Sequence, residues 1–509
     1  MSLELPAPLR IAITQAAASP RAVDAFDHVA ILLPDSAKRG AWPAFPHSKL
    51  LESRYRARHA KQAGDRLSTE LEDGKGTRVS VALVKPAASA FELLTLARKL
   101  VAEARGGSPR RCALLVLGLP PAAASTAAEA YCSALLAAEA ALPDYKSKPE
   151  PRVAIEALAV HGPGTGFDLA RCRAAAEANN LARWLTTLPP NLLHPASYRA
   201  LLATLAKRQG WTLKFHDEKA LAKRGAEAFL AVVRGSAERD AGIVELSYTP
   251  KKAARAKGKT VRAPLALVGK GLCYDTGGSN LKAAKGMYGM HGDMGGSAVA
   301  LATLAALTAL DAPFPVRCYL AIAQNRIGPL SYIPNEVVRA ANGVTIETVH
   351  TDAEGRMVLA DTLVLASEAA PAAILDFATL TGSAVHALTD RMGAVFSNRS
   401  ALNATLIAAG DASGERVWPF PMHADYDEAL ASKVADIKQC LIEGQGDHIL
   451  AARFLSHFVA DGIPWVHLDM CPSDREGGLA HIPSFFTGFG VRFALDLVLD
   501  RGFGREAIR

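Results

Sequence analysis

The sequence predicts an α/β protein in two parts, a smaller N-terminal α/β domain and a larger C-terminal domain with a central mixed β-sheet flanked by helices. Three observations predict it. Short β-branched or leucine-rich runs alternate with alanine-rich stretches along most of the chain, the pattern of strands layered with helices. The 509 residues exceed one ordinary domain, and half are hydrophobic with 21% charged, enough apolar side chain for large cores. A turn-rich segment, His161-Gly162-Pro163-Gly164-Thr165-Gly166, interrupts the alternation near residue 165. This composition excludes a disordered or fibrous chain.

In the first part, strands are predicted at residues 10–14, 29–33, 79–84, 113–117 and 153–160, each a short apolar run. Residues 91–105 and 126–142 read as helices, because their apolar side chains recur at spacings of three and four. No catalytic constellation falls within residues 1–165, so this part reads as a self-contained domain for assembly or regulation. Residues 167–187 form a long helix candidate ended by Pro189-Pro190-Asn191, and residues 166–190 are read as a linker helix. Residues 191–509 make the second domain. It opens with helix 196–208, strand 211–215, helix 218–233 and strands 243–248 and 265–270.

The chain carries 57 Lys+Arg against 50 Asp+Glu, a formal charge of +7. Six of the twelve residues 251–262 are basic and none is acidic, so without that run the charge would be +1. A basic, glycine-containing run is a candidate nucleic-acid contact. It has no aromatic residue for base stacking and no recognised motif, which favours a solvated loop tip. Seven scattered cysteines without a CxxC pair argue against a disulfide framework or zinc knuckle and for a reducing, cytoplasmic setting. Neither a signal peptide nor a membrane span is read: residues 1–15 lack a basic stretch followed by an apolar run. The uncharged segment 112–128, which no other exceeds in length, is broken by Pro120 and Pro121.

Three acidic, glycine-rich clusters carry the chemistry. The first, Gly269-Lys270-Gly271-Leu272-Cys273-Tyr274-Asp275-Thr276-Gly277-Gly278 with Lys282 beyond, follows the strand at 265–270. The second, Met290-His291-Gly292-Asp293-Met294-Gly295-Gly296, opens an apolar helix at 297–310. The third, His350-Thr351-Asp352-Ala353-Glu354-Gly355-Arg356, lies between a strand and a helix at 357–369. Strand ends are where α/β sheets bind ligands. If residues 352–354 are extended, Asp352 and Glu354 point the same way. Four carboxylates without a His or Cys cluster suit Mg²⁺, Mn²⁺ or Zn²⁺, and converging without a cation they would repel one another. Taken singly, each cluster also has a structural reading: an Asp-x-Gly-Gly turn, Asp293 as a helix cap, and Asp352 with Glu354 paired to Arg356. A phosphate-binding loop at Gly269-Lys270 lacks the required spacing. Cys273, between Leu272 and Tyr274, reads as a buried strand residue rather than a nucleophile.

Taken together, these residues resemble the leucyl aminopeptidases, also called cytosol aminopeptidases, of the M17 metallopeptidase type. The resemblance is carried by Val268-Gly269-Lys270-Gly271 with Asp275 and Gly277-Gly278, by Asp293-Met294-Gly295-Gly296, and by Thr351-Asp352-Ala353-Glu354-Gly355-Arg356 with Val358-Leu359-Ala360-Asp361. It continues through Ala378-Thr379-Leu380-Thr381-Gly382, Trp418-Pro419, His467-Leu468-Asp469 and Thr487-Gly488-Phe489-Gly490. It spans roughly residues 170–500.

The resemblance implies a metalloexopeptidase that removes the N-terminal residue of peptides, its larger domain being catalytic. Lys270, Asp275, Asp293, Asp352 and Glu354 are then ligands of two divalent ions, Mn²⁺, Zn²⁺ or Mg²⁺, with Asp275 and Glu354 shared. Lysine ligates only as the neutral amine, which asks for a lowered pKa; the alternative for Lys270 is a counter-ion. Lys282 stabilises the oxyanion, and Arg356 holds a bicarbonate general base, its alternative being an ion pair to Asp352 or Glu354. Met290, Thr379, Leu380 and Gly382, with the segment after Asp469, surround the substrate. A cytoplasmic homohexamer is implied, with DNA binding on the same scaffold as the alternative function. The chain departs from the family pattern at Tyr274, Thr276, Asn280, His291 and His350, at Cys471-Pro472-Ser473-Asp474, and at Asp447-His448, where small residues are usual.

Overall fold

The computed structural model describes residues 3–17, 21–60, 64–250 and 263–504, so the basic run 251–262 lies outside the described residues. Two compact units are present. One comprises Ala7–Glu177 and Gly477–Ser484, the other Met1–Pro6, Ala178–Glu476 and Phe485–Arg509. The division falls inside the helix Leu169–Thr187.

The first unit contains strands β1 (Ala12–Ala16), β2 (His28–Pro34), β3 (Arg66–Glu70), β4 (Arg78–Val84), β5 (Arg111–Val116) and β6 (Ala157–His161). They form one sheet in the order β1-β6-β5-β2-β4-β3, parallel except for β3 against β4. Its central strands are buried on both faces, which is why they read as continuous apolar runs. Helices Ala90–Arg105 and Pro121–Ala138 cover one face, and Trp42, Phe45, Leu51 and Tyr55 belong to the core of the other. The Ala90–Arg105 helix starts at a capping box in which Ser89 Oγ accepts the Glu92 N–H and Glu92 accepts the Ser89 N–H. Pro121, suited to a first helical position, starts the other helix five residues before the expected 126. The edge strand β3, Arg-Leu-Ser-Thr-Glu, is too polar to announce itself in sequence.

The second unit contains β7 (Thr212–Asp217), β8 (Gly242–Tyr248), β9 (Leu265–Asp275), β10 (Val316–Asn325), β11 (Val337–Arg339), β12 (Thr345–Glu347), β13 (Ala373–Ala378), β14 (Gly393–Ser397), β15 (Val417–Pro419), β16 (Ile437–Lys438) and β17 (Trp465–Asp469). Eight of these make a mixed sheet in the order β15-β14-β17-β13-β9-β10-β8-β7, while β11, β12 and β16 form a small separate sheet. The central β17, β13, β9 and β10 are parallel, so their carboxyl ends open on one edge of the sheet. Helix Gly295–Ala309 packs over β9, β10 and β13, and helix Glu354–Glu368 against β9, β10 and helix Glu227–Val233. The expected helix 218–233 is two helices, Glu218–Lys223 and Glu227–Val233, separated by Gly225 at φ +72°. No described helix is long and apolar enough to cross a membrane, and the seven cysteines are buried and form no disulfide.

Candidate metal centre

The strand expected to stop at residue 270 continues to Asp275, which changes how the first cluster works. Lys270 is an interior residue of β9, and Asp275 ends it. Because side chains alternate along a strand, Lys270 and Gly269 face opposite sides of the sheet. At Gly269 an added Cβ would stand 2.5 Å from Ser297 Cα, so helix Gly295–Ala309 seats directly on the strand. That seating holds Asp293, just before the helix, beside Lys270. Gly277 and Gly278 turn the chain after β9 with φ of +85° and +65°, values that side-chain-bearing residues rarely adopt.

Backbone geometry also corrects the third cluster. Ala353 has φ −105° and ψ 33°, and Glu354 is the first residue of its helix, so residues 352–354 are not extended. Asp352 and Glu354 diverge to different lysines. Lys270 Nζ lies 2.9 Å from Asp293 Oδ2 and 3.0 Å from Glu354 Oε1, and donates to the Thr379 carbonyl at 3.0 Å. Lys282 Nζ lies 2.9 Å from Asp275 Oδ2 and 2.5 Å from Asp352 Oδ1. Oxygens of Asp275, Asp293 and Glu354 come within 4.8 Å of one another, and all three residues are buried.

The charges of this cluster are strongly interdependent. Burial, then repulsion from Asp275 and Asp293, holds the Glu354 carboxyl well above the ordinary carboxylate range. Burial raises Asp293 as well. For Lys270, burial acts downward, but attraction from Asp293, Glu354 and Asp275 outweighs it and the ammonium form is favoured. Lys282 behaves alike, with Asp275 and Glu354 overcoming burial. On their own, therefore, the carboxylates keep Lys270 as a protonated counter-ion rather than the neutral amine that ligation requires.

Divalent cations fit this donor set. It offers hard carboxylate oxygens from three chain segments. Glu354 Oε2 is buried with no hydrogen-bond partner among the described residues, an acceptor that the protein itself leaves unsatisfied.

A layer of neutral residues holds the acids in place, and sequence reading missed most of it. Asn325, at the end of β10, donates to Asp275 Oδ1 at 2.8 Å and to the Thr351 carbonyl at 3.0 Å. Tyr332 donates to the same carbonyl, and Thr351 Oγ1 donates to the Gly277 carbonyl at 2.6 Å. Thr351 and Asn280 exchange two further bonds, giving the Asn280 departure a structural role. Gln439 accepts from the Val349 and His350 N–H groups and donates to the Ala353 carbonyl. The one signal for Asn325 was its place at the carboxyl end of a strand. Gln439 gave none.

Arg356 is 2% exposed and pairs with neither Asp352 nor Glu354. Its Nη2 contacts Asp447 Oδ1 at 2.7 Å and Oδ2 at 2.8 Å, and its Nη1 donates to the Gln439 carbonyl at 3.0 Å. Burial acts against its charge, and Asp447 more than restores it. Asp447 belongs to one of the departures noted in the sequence. At the arginine to which the family pattern assigns bicarbonate, Nη2 is thus taken by a carboxylate of the chain itself.

Among the expected substrate residues, Thr379 Oγ1 donates to Asp293 Oδ1 at 2.6 Å, joining the substrate segment to the acidic cluster. Leu380 N–H and Thr381 Oγ1 both donate to Asp469, at the end of β17. Gly382 is exposed and starts the helix Gly382–Leu388. Met290 is half-buried in the short turn before Asp293. The histidine departures all have partners. His291 sits edge-on to Phe486, His350 Nδ1 accepts the Asp352 N–H, and His448 lies 3.0 Å from Ser383 Oγ. Asp474 is exposed and accepts from Ser473.

Asp275, Asn325, Thr379 and Asp469 thus stand at or just past the carboxyl ends of four parallel strands, with buried acids converging there. An α/β domain so arranged defines a metal-dependent hydrolase. A sequence profile of the cytosol aminopeptidase family, catalytic domain, matches residues 180–495. A probable cytosol aminopeptidase of Parasynechococcus marenigrum (strain WH8102) is 41% identical over 380 residues, 73% of this chain and 75% of that protein. The bottromycin maturation enzyme BotP, solved in complex with Mn, is 33% identical with a TM-score of 0.78, covering 93% of this chain and 99% of its own. A mutant of tomato leucine aminopeptidase is 27% identical with a TM-score of 0.83, covering 98% of both chains. The chain belongs to the cytosol aminopeptidase family, the M17 peptidases, and is a metal-dependent aminopeptidase whose clustered acidic triad suits binuclear metal catalysis.

Proposed function

We propose that the protein removes the N-terminal residue of peptides in the cytoplasm, using two divalent ions held by Lys270, Asp275, Asp293, Asp352 and Glu354. The observation that carries this reading is the convergence of the Asp275, Asp293 and Glu354 oxygens within 4.8 Å, with Lys270 and Lys282 against them. Asp275 and Glu354 are the shared ligands in this assignment. When bound, such ions lower the pKa of water to give a nucleophile at neutral pH and polarise the scissile carbonyl. Mn²⁺ is the first ion to test, since BotP was solved with it; Zn²⁺ and Mg²⁺ follow.

Lys282 has the ammonium charge to stabilise the oxyanion as it develops, and its two carboxylate partners fix its position. Lys270 would hold an ion only as the neutral amine. Met290, Thr379 and Gly382 line the place of the N-terminal side chain, and the Leu380 carbonyl orients the substrate main chain. The names of the relatives support a cytosolic setting. Assembly as a homohexamer, with the N-terminal domain of residues 1–165 serving that assembly, rests on the family resemblance; light scattering should give six times the 53.7 kDa chain mass. A nucleic-acid partner rests on residues 251–262 alone, a run without an aromatic residue, and titration with duplex DNA at rising salt tests it.

The central test is turnover of aminoacyl p-nitroanilides and dipeptides with each metal added, after chelation, and in Asp352→Ala. Activity should require metal and collapse in the variant. Undiminished turnover in both the chelated enzyme and the variant defeats the proposal.

A further inference from the structure

We propose that Asp447 is the general base of this enzyme, a carboxylate of the chain standing on Arg356 in place of a bound bicarbonate. The inference rests on the aminopeptidase reading above.

Arg356 lies in the first turn of the helix that begins with Glu354. A buried guanidinium needs an anion beside it, and both Asp447 oxygens supply one through Nη2. Being covalently tethered, that carboxylate competes with any dissolved anion at a high effective concentration. The segment carrying it is clamped from two sides. Arg356 grips Asp447, while Ser383, next to the Gly382 of the substrate segment, accepts the His448 N–H at 2.8 Å and bonds the His448 ring. Phe420 stacks edge-on against that ring at 4.6 Å. Asp447 is thereby held between the residue two beyond Glu354 and the residue beside Gly382.

The carboxylate is also free to act. Its side chain is 22% exposed, and Arg356 Nη2 is its sole hydrogen-bond donor among the described residues, so each oxygen keeps lone pairs for a water proton. In the step assigned to it, Asp447 takes a proton from the attacking water while the water oxygen bonds to the scissile carbonyl carbon. The Asp447 carboxylic acid then passes that proton to the amide nitrogen as the C–N bond breaks. One water is consumed, the amine departs, and the carboxylate is restored.

The test uses metal-loaded full-length enzyme in buffer freed of carbon dioxide, with and without added bicarbonate. Wild-type turnover should be the same in both, and ¹³C-bicarbonate should show no bound signal by NMR. Asp447→Gly should lose on the order of 10²- to 10⁴-fold in kcat, bind labelled bicarbonate, and recover about 10²-fold when it is added, the lower end of that range. Asp447→Asn, which fills the same space, should be equally slow and not be rescued. Wild-type activity that depends on bicarbonate, labelled bicarbonate bound to wild type, or full activity in either variant without bicarbonate overturns the inference. If Asp447→Gly fails to fold, judged by thermal unfolding and metal content, the wild-type result and Asp447→Asn decide. Absence of any wild-type aminopeptidase activity would instead defeat the functional reading beneath it.

Discussion

Replacing Gly296 by alanine should damage the protein from a distance, through the seat of one helix. A Cβ at residue 296 would stand 2.2 Å from the Phe377 carbonyl oxygen, 2.8 Å from its carbon and 3.0 Å from the Lys270 nitrogen. Carbon-to-oxygen contact needs about 3.3 Å, so the helix Gly295–Ala309 must lift by roughly 1 Å. The obstacles are backbone atoms of β13 and β9, which are paired with each other and cannot step aside singly. Overpacking of this kind costs about 1–3 kcal/mol, and a collision with backbone belongs at the upper end. Alanine regains up to about 1 kcal/mol in helix propensity, leaving a net loss of about 2 kcal/mol. For a unit of this size, with an unfolding entropy of about 2.1 cal/mol/K per residue, that lowers the melting temperature by roughly 3 °C. Asp293 leads into the helix while Lys270 rides on β9, so the same lift opens their 2.9 Å contact. A misplacement near 1 Å costs about 10²-fold in rate. Calorimetry, metal analysis and kcat on a leucyl p-nitroanilide should be compared with Gly286→Ala, whose Cβ meets nothing within 4 Å. Equal melting temperature and rate in the two variants would refute the reasoning.

Three further outcomes are expected. Glu354→Gln should lower bound metal measured by mass spectrometry and reduce kcat at least about 10²-fold, the scale on which an electrostatic site residue acts; full metal occupancy would contradict its place in the cluster. Burial, with a smaller effect of Arg78, lowers the His28 pKa from 6.5 to about 4. The unfolded chain then binds the proton more readily, so about 3 kcal/mol of stability present above pH 6.5 is lost as pH falls through 4. Hydrogen exchange at β2 should show that loss between pH 7 and 4, and His28→Gln should flatten it; an unchanged slope would count against it. Asp469→Asn should weaken the hold on Leu380 and Thr381 by about 1–3 kcal/mol, lowering kcat/KM roughly tenfold without changing metal content; a fall in metal content would place Asp469 elsewhere in the mechanism.

Strongly apolar elements were legible because burial on both faces leaves an unmistakable run. β2, β4, β5, β9 and the helix Gly295–Ala309 are of this kind. β3 escaped notice because an edge strand with polar residues has no such run. The extended reading of residues 352–354 failed because a helix start, set by tertiary packing at Glu354, turns the chain where local composition allows a strand. Within the site, the acids and lysines stood out by type and spacing. Asn325, Thr351 and Gln439 did not, since neutral polar residues occur everywhere and only their partners give them meaning.

The sequence alone determined the α/β class, the family, and the set of acids and lysines able to hold metal, because these depend on residue type and local order. Which lysine faces which carboxylate required the fold, since Lys270 and Lys282 lie on either side of a strand end and a double-glycine turn. So did the assignment of Gly477–Ser484 to the first unit, 300 residues after Glu177. Most consequential is the pairing of Arg356 with Asp447 across 91 residues. Sequence could mark each of the two as notable. Only tertiary structure could bring them within 2.7 Å, because such a contact is set by where two helices begin and not by anything near either residue in the chain.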